Sequence, residues 1–98
     1  MNITKKTEGS TLTLALEGRL DTTTSPQLEA EVKNSAEGVK SLIFDISGLE
    51  YISSAGLRVL LSAQKMMNKQ GDMTVTGANE AIMEIFDVTG FVDLLNIK

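Results

Sequence analysis

The sequence contains no cysteine and no histidine. Without cysteine there is no disulfide framework, no thiolate metal site and no cysteine nucleophile. Without histidine the chain lacks the commonest general base, the commonest metal ligand and the central member of a serine triad. These absences weigh against an enzyme more heavily than any motif does. The carboxylates that remain show no calcium-loop spacing, so neither a metal nor a cofactor is expected. Positive charge is also scarce. The longest basic run is Lys5-Lys6 and the formal net charge is −4, a balance that disfavours a nucleic-acid partner. No apolar run approaches bilayer-spanning length, and Met1 to Lys6 lacks the apolar region of a secretory signal. The expectation is a cytoplasmic protein with no membrane partner.

What is present is ordinary globular composition: 98 residues, 42% apolar and 22% charged. That length accommodates one domain over 1–98, with a single core between two or three layers.

Thr11 to Gly18 alternates, with Leu12, Leu14 and Leu16 on one face. It reads as a half-buried strand in a hairpin with a short strand over Ile3 to Thr7, joined at Glu8-Gly9-Ser10. Ser25 is the expected N-cap of a first helix, with Pro26 at its first position. Leu28, Val32 and Ala36 form a narrow apolar stripe on that helix, and Gly38 ends it. Ser41 to Ile46 is nearly continuously apolar, which predicts a central strand covered on both faces. Ser47 to Ile52 reads as a connecting loop. Ser53-Ser54-Ala55-Gly56 leads into a broad apolar helix over Leu57 to Met67, in which Met66 and Met67 are assigned to core packing. Met73 to Thr76 is a short strand. Asn79 caps a third helix that Gly90 stops, and Leu94 to Ile97 supplies a last strand. The order β-β-α-β-α-β-α-β describes an α/β fold with a mixed, mostly parallel sheet.

In open α/β sheets, sites gather at the carboxyl ends of strands and the starts of the following helices. Two segments qualify, Gly18 to Ser25 and Asp45 to Leu57. In the second, two serines precede a helix and are followed by the small residues Ala55 and Gly56. A helix start offers unpaired N–H groups and a partial positive charge, so it favours an anion, including a phosphate attached to the chain. The plainer use of a serine there is capping, and either Ser53 or Ser54 fits it. Asp45 closes an apolar strand, as a receiver-type phosphoacceptor would. The opening hairpin is wrong for that fold, so Asp45 is read as a loop-structuring carboxylate. Met83 and Phe91 are the candidates for exposed partner contacts.

The stretch Phe44-Asp45-Ile46-Ser47-Gly48-Leu49-Glu50-Tyr51-Ile52-Ser53-Ser54-Ala55-Gly56-Leu57-Arg58 resembles the signature of STAS domains, specifically bacterial anti-sigma-factor antagonists. These carry a strand, a loop with an aromatic residue, then Asp-Ser-small-Gly-Leu entering a helix. Leu16-Glu17-Gly18-Arg19-Leu20-Asp21 resembles the family's strand ending in Gly-acidic-Leu-Asp. Phe86-Asp87-Val88-Thr89-Gly90-Phe91 resembles its late Phe-Asp-x-small-Gly turn.

The resemblance implies a phosphorylation switch. The unphosphorylated protein would bind an anti-sigma factor of the GHKL serine-kinase type and free a sigma factor. Phosphorylation would break that complex, and a PP2C-type phosphatase would restore it. The phosphoacceptor position falls on Ser54, and Asp21 falls in a partner-facing loop. Asp21, Thr22, Ser53, Ser54, Gly56 and Arg58 are the expected partner-binding residues. Two positions depart from the family. Ser53 replaces its Asp and is the alternative phosphoacceptor. Arg19 replaces its acidic residue and is read as a solvated surface charge, with pairing to Asp21 or to a phosphate as the alternative. A constitutive STAS scaffold in a signalling or lipid-transport complex is a second reading. A small hydrolase or nucleotide-binding enzyme is remote, because no base is paired with the serines.

Overall fold

Leu12, Leu14 and Leu16 point the same way along their strand, and so do Leu42, Phe44 and Ile46, and Met73 and Val75; each is at most 1% exposed. The computed structural model describes residues 1–98 and shows why. Strands β1 (Asn2–Glu8), β2 (Thr11–Leu20), β3 (Ser41–Ile52) and β4 (Asp72–Thr76) form one sheet in the order β1-β2-β3-β4. β1 runs antiparallel to β2, while β2, β3 and β4 are parallel. The register sets Leu42 between Leu12 and Met73, and Phe44 between Leu14 and Val75, so the apolar side chains coincide on one face. Helices α1 (Ser25–Ser35), α2 (Ser54–Met67) and α3 (Glu80–Thr89) close that face, and 22 buried apolar residues form one cluster.

The other face is half-exposed and carries Thr13, Ala15, Ile43, Asp45, Thr74 and Thr76. Coverage of Ser41 to Ile46 on both faces is therefore not observed. The strand looks uniformly apolar because Ile43 alternates with Leu42 and Phe44, but Ile43 lies on the half-exposed side.

Three other expectations change. Ser47 to Ile52 is not a loop: β3 continues to Ile52, paired with Glu17 to Leu20 of β2. The register shifts between Ala15 and Glu17 and again between Gly18 and Arg19, so β3 accommodates extra residues as bulges. The buried residues Ile46, Leu49 and Ile52 therefore fall three apart, a spacing that hides a strand. The last strand over Leu94 to Ile97 shrinks to one parallel bridge, Val75 with Ile97, after a 3-10 turn η1 (Phe91–Asp93). Ser25 is not the cap of α1. Thr24 occupies the cap position, but its side chain accepts no N–H of the helix, and Ser25 is the first helical residue, buried, with its hydroxyl donating to the Asp21 carbonyl at 2.5 Å.

Met67 is buried and Met66 half-buried, in keeping with their assignment to the core. Met83 and Phe91 are half-buried against the core rather than exposed. Both keep part of their surface open at the α3–η1 turn, where Val88, Val92 and Leu94 are the exposed apolar residues.

Candidate functional site

The carboxyl ends of β2 and β3 lie side by side, with Leu20 opposite Ile52. The Ser53 N–H donates to the Leu20 carbonyl at 2.8 Å, which ties the start of α2 to the end of β2. Two turns are thereby held next to each other: Asp21 to Ser25 before α1, and Ser53 to Gly56 before and within α2.

Asp21 organises the first turn. Its Oδ1 accepts the N–H groups of Thr23 at 3.0 Å and Thr24 at 3.1 Å. The Thr24 hydroxyl accepts the Asp21 N–H and donates to the Arg19 carbonyl, at 2.9 and 2.8 Å. The donors that a side-chain cap would serve are met by backbone carbonyls instead: the Ser25 N–H by Asp21 at 2.8 Å, and the Gln27 and Leu28 N–H groups by Thr24 at 3.1 and 3.3 Å. The Thr24 N–H above all holds the Asp21 carboxyl below its ordinary value of 3.8, with the Thr23 N–H, the Thr24 hydroxyl and Arg19 adding to it and partial burial opposing. A depressed native value means that the ionised group stabilises the turn fully above the unfolded value. That contribution is lost as pH falls through the lower native value. An NMR carboxyl titration is expected to place the Asp21 midpoint below 3.8. Asp21→Asn, which keeps an acceptor oxygen, is expected to remove this part of the acid dependence. A midpoint at or above the ordinary value would rule out the proposed hydrogen-bond control.

The second turn separates the two serines. Ser53 is the N-cap: its backbone is extended, and its Oγ accepts the Gly56 N–H at 3.4 Å. Ser54 is the first helical residue, is exposed, and its hydroxyl makes no hydrogen bond to the protein. The first-turn N–H groups beside it have no intrahelical acceptor. Gly56 is buried, and a Cβ there would lie 2.7 Å from Leu20 Cγ and 3.0 Å from Ile52 Cγ1. Gly56 thus supports the surface from beneath by letting α2 approach the strand ends, and it is not a contact residue.

Arg58 is exposed one turn after Ser54, on the same side of α2. A groove of about 300 Å³ separates the starts of α1 and α2, with Thr22, Pro26 and Glu29 on one wall and Ala55, Arg58 and Val59 on the other. The structure therefore brings Thr22, Arg58 and the Ser54 turn together beside the Asp21 turn, and places Gly56 below them.

The pairing of Arg19 with Asp21 is the alternative that the sequence offers for this residue, and the stacking of Arg19 on Tyr51 is what sequence reasoning missed. The Arg19 guanidinium lies 4.5 Å from the centroid of the Tyr51 ring, and its Nε is 3.9 Å from Asp21 Oδ2. Arg19 is therefore not a free surface charge. It is stacked and paired, and it extends the exposed surface of the Asp21 turn. The two residues meet only through the bulged β2–β3 register, which no local pattern reveals. Asp45 lies apart from this surface. Its Oδ1 accepts the Ser47 N–H at 3.1 Å and the Ser47 hydroxyl at 2.7 Å, and because β3 runs on through Ser47 it braces the first bulge of that strand rather than a loop. No three carboxylates converge in a group that could hold a metal ion. No helix is long and apolar enough to cross a membrane.

Comparison with known proteins agrees with this geometry. The family model for the STAS domain matches residues 2–98. BtrV of Bordetella bronchiseptica, a candidate anti-sigma factor antagonist, is 31% identical over 99% of this chain and 85% of its own length. The anti-sigma-B factor antagonist of Bacillus subtilis is 26% identical over all of this chain and 91% of its own. Among solved structures, the anti-sigma factor antagonist SpoIIAA in its unphosphorylated form superposes with a TM-score of 0.84 at 16% identity, covering 99% of this chain and 88% of that one. The phosphorylated form of the Bacillus protein gives 0.77 at the same identity, with 99% and 91% covered. At that identity the structural likeness establishes the fold alone.

Proposed function

The chain belongs to the STAS domain family, and from that premise we propose that it is an anti-sigma-factor antagonist switched off by phosphorylation of Ser54. The observation that carries the reading is the division of labour between adjacent serines. Ser53 is occupied as the cap of α2, while Ser54 is exposed with an unbonded hydroxyl. The names of the relatives support the antagonist role, and the existence of SpoIIAA in two phosphorylation forms supports the switch.

In the unphosphorylated state the exposed surface of Asp21, Thr22, Ser53, Ser54 and Arg58 binds an anti-sigma factor of the GHKL serine-kinase type in the cytoplasm, and a sigma factor is released. Gly56 sets the shape of that surface from below. The partner kinase transfers the terminal phosphoryl group of ATP to Ser54 Oγ, with loss of the hydroxyl proton. The phosphate adds roughly two negative charges where the partner must dock. The helix start tolerates them, since the N-terminal dipole and free N–H groups favour an anion. The complex is broken without unfolding the domain. A PP2C-type phosphatase returns the serine by hydrolysis. The protein itself is a regulatory binding module and not an enzyme.

The test is phosphosite mapping after incubation with the GHKL-type kinase of the same organism and ATP. Ser54→Ala is expected to abolish incorporation. Ser53→Ala is expected to keep incorporation at Ser54 while losing about 1 kcal/mol of stability with the cap. Full incorporation at Ser53 in the Ser54→Ala protein would overturn the assignment.

A further inference from the structure

The chain has 13 carboxylates and 9 basic residues, and no basic residue lies between Lys69 and Lys98. α3 and η1 fall within that gap and carry Glu80, Glu84, Asp87 and Asp93. The excess of negative charge is thus concentrated on one part of the surface. None of these four carboxylates joins any of the three ion pairs in the fold. Glu80 and Glu84 stand one turn apart, a like-charge spacing that weakens a helix. Asp87 lies in the last turn, where the dipole prefers a basic residue and none is present. Glu80 is favoured by its first-turn position, but Glu84 and Asp87 have no cation within the chain to offset them.

The same surface exposes apolar side chains. Val88 is 77% exposed, Leu94 51% and Val92 39%. A groove of about 480 Å³ runs along α3, with Met83 and Val92 as its apolar part and Glu80, Glu84 and Asp87 along it. α3 packs on β3 and η1 and leaves this outer side uncovered.

We propose that the outer face of α3 and η1 is a docking surface for a basic amphipathic helix of a partner protein. Charge selects that occupant. A second copy in a two-fold dimer would set the same carboxylates against one another. An anionic membrane would be repelled in the same way. A helix with apolar residues at i, i+3 and i+7 and Lys or Arg between them places its apolar side on Met83 and Val92 and its cations over Glu80, Glu84 and Asp87. The surface shares no residue with the α1–α2 groove. It gives the domain a second attachment point that is independent of the state of Ser54, so it goes beyond the function proposed above.

The experiment titrates the isotope-labelled full chain with a synthetic 14-residue Leu/Lys amphipathic peptide, followed by amide NMR. Two analogues replace every Lys by Gln or by Glu. Shifts are expected on α3 and η1 only, with binding weakened at least tenfold for both analogues. The double variant Glu84→Lys/Asp87→Lys and, separately, Val92→Ser are each expected to lose at least tenfold in affinity with unchanged circular dichroism. Ser54→Asp is expected to bind the peptide as the parent does. Shifts at the α1–α2 groove, or scattered over the surface, would overturn the proposal, as would equal binding of the Gln or Glu analogue. Concentration-dependent self-association through α3 without peptide would assign the face to a second copy instead. Displacement of the peptide by phosphatidylcholine vesicles would assign it to a lipid surface.

Discussion

Gly71→Ala is expected to destabilise the domain by roughly 3 kcal/mol, a loss of about 12–24 °C in Tm for a chain of this size. A Cβ at Gly71 would lie 1.9 Å from the Lys40 carbonyl oxygen, 2.6 Å from its carbon and 2.9 Å from its Cα. All three are backbone atoms, so no rotamer change relieves the clash. The crossing lies between two connections: the turn that leaves α2 and the turn that enters β3. The Asp72 N–H donates to the Lys40 carbonyl at 2.9 Å, and the Lys40 N–H donates to the Ser10 carbonyl at 2.9 Å. The Gln70 side chain also donates to the Ala36 and Val39 carbonyls, both at 2.7 Å. Moving either strand end to admit a methyl group strains this set as a unit, and it fixes the register of β3 against β4. Gly38→Ala is the control. It has a positive φ of 78° but no atom within 4 Å of the added Cβ, so it is expected to cost only about 1 kcal/mol. Thermal melting of the two variants side by side decides. If Gly71→Ala melts no lower than Gly38→Ala, the backbone crossing has room that the geometry denies.

This crossing also shows what a sequence can and cannot convey. Signals confined to one turn were legible. Asn79 caps α3, with its Oδ1 accepting the Ile82 N–H at 2.9 Å, and Gly90 ends it in a left-handed conformation. The alternation of Leu12, Leu14 and Leu16 was legible because a strand with one buried face repeats every two residues. Periodicity and helix-end signals carried the order of the first seven elements, and the resemblance to STAS domains carried the neighbourhood of Ser54. Features set by pairing between distant segments were not legible. The continuation of β3 through Ile52 is masked by two bulges that break its period. Which face of β3 is covered depends on where the helices lie, and a run such as Leu42-Ile43-Phe44 does not encode it. At the candidate site, both serines satisfied the capping pattern. Only the backbone position of Ser53, one residue before the first helical turn, distinguishes them. The Asp21 carboxylate braces its own turn through Oδ1, and its other oxygen faces Arg19, which stacks on Tyr51 from another strand, a link made only by the β2–β3 pairing.

Ser54→Asp is expected to weaken binding to the anti-sigma kinase about thirtyfold or more, corresponding to at least roughly 2 kcal/mol, because an uncompensated charge is placed inside the contact surface. The fold is expected to be unharmed. Ser54 is exposed and starts α2, no acidic residue occupies the first turn, and a carboxylate there interacts favourably with the helix dipole. Arg58 follows four residues later, so the acid-before-base spacing adds a further small stabilisation. Melting temperature and affinity should therefore move in opposite directions, a pairing that simple damage to the domain does not produce. Ser54→Ala removes only a solvated hydroxyl and is expected to bind within about threefold of the parent. Calorimetric titration of the kinase without ATP, with melting curves of each variant, separates the outcomes. Parent-like affinity in a folded Ser54→Asp protein would show that the α2 start lies outside the contact. The partner surface would then have to be sought elsewhere on the domain. A thirtyfold loss with an unchanged or raised Tm would locate the contact at the serine that the cap leaves free.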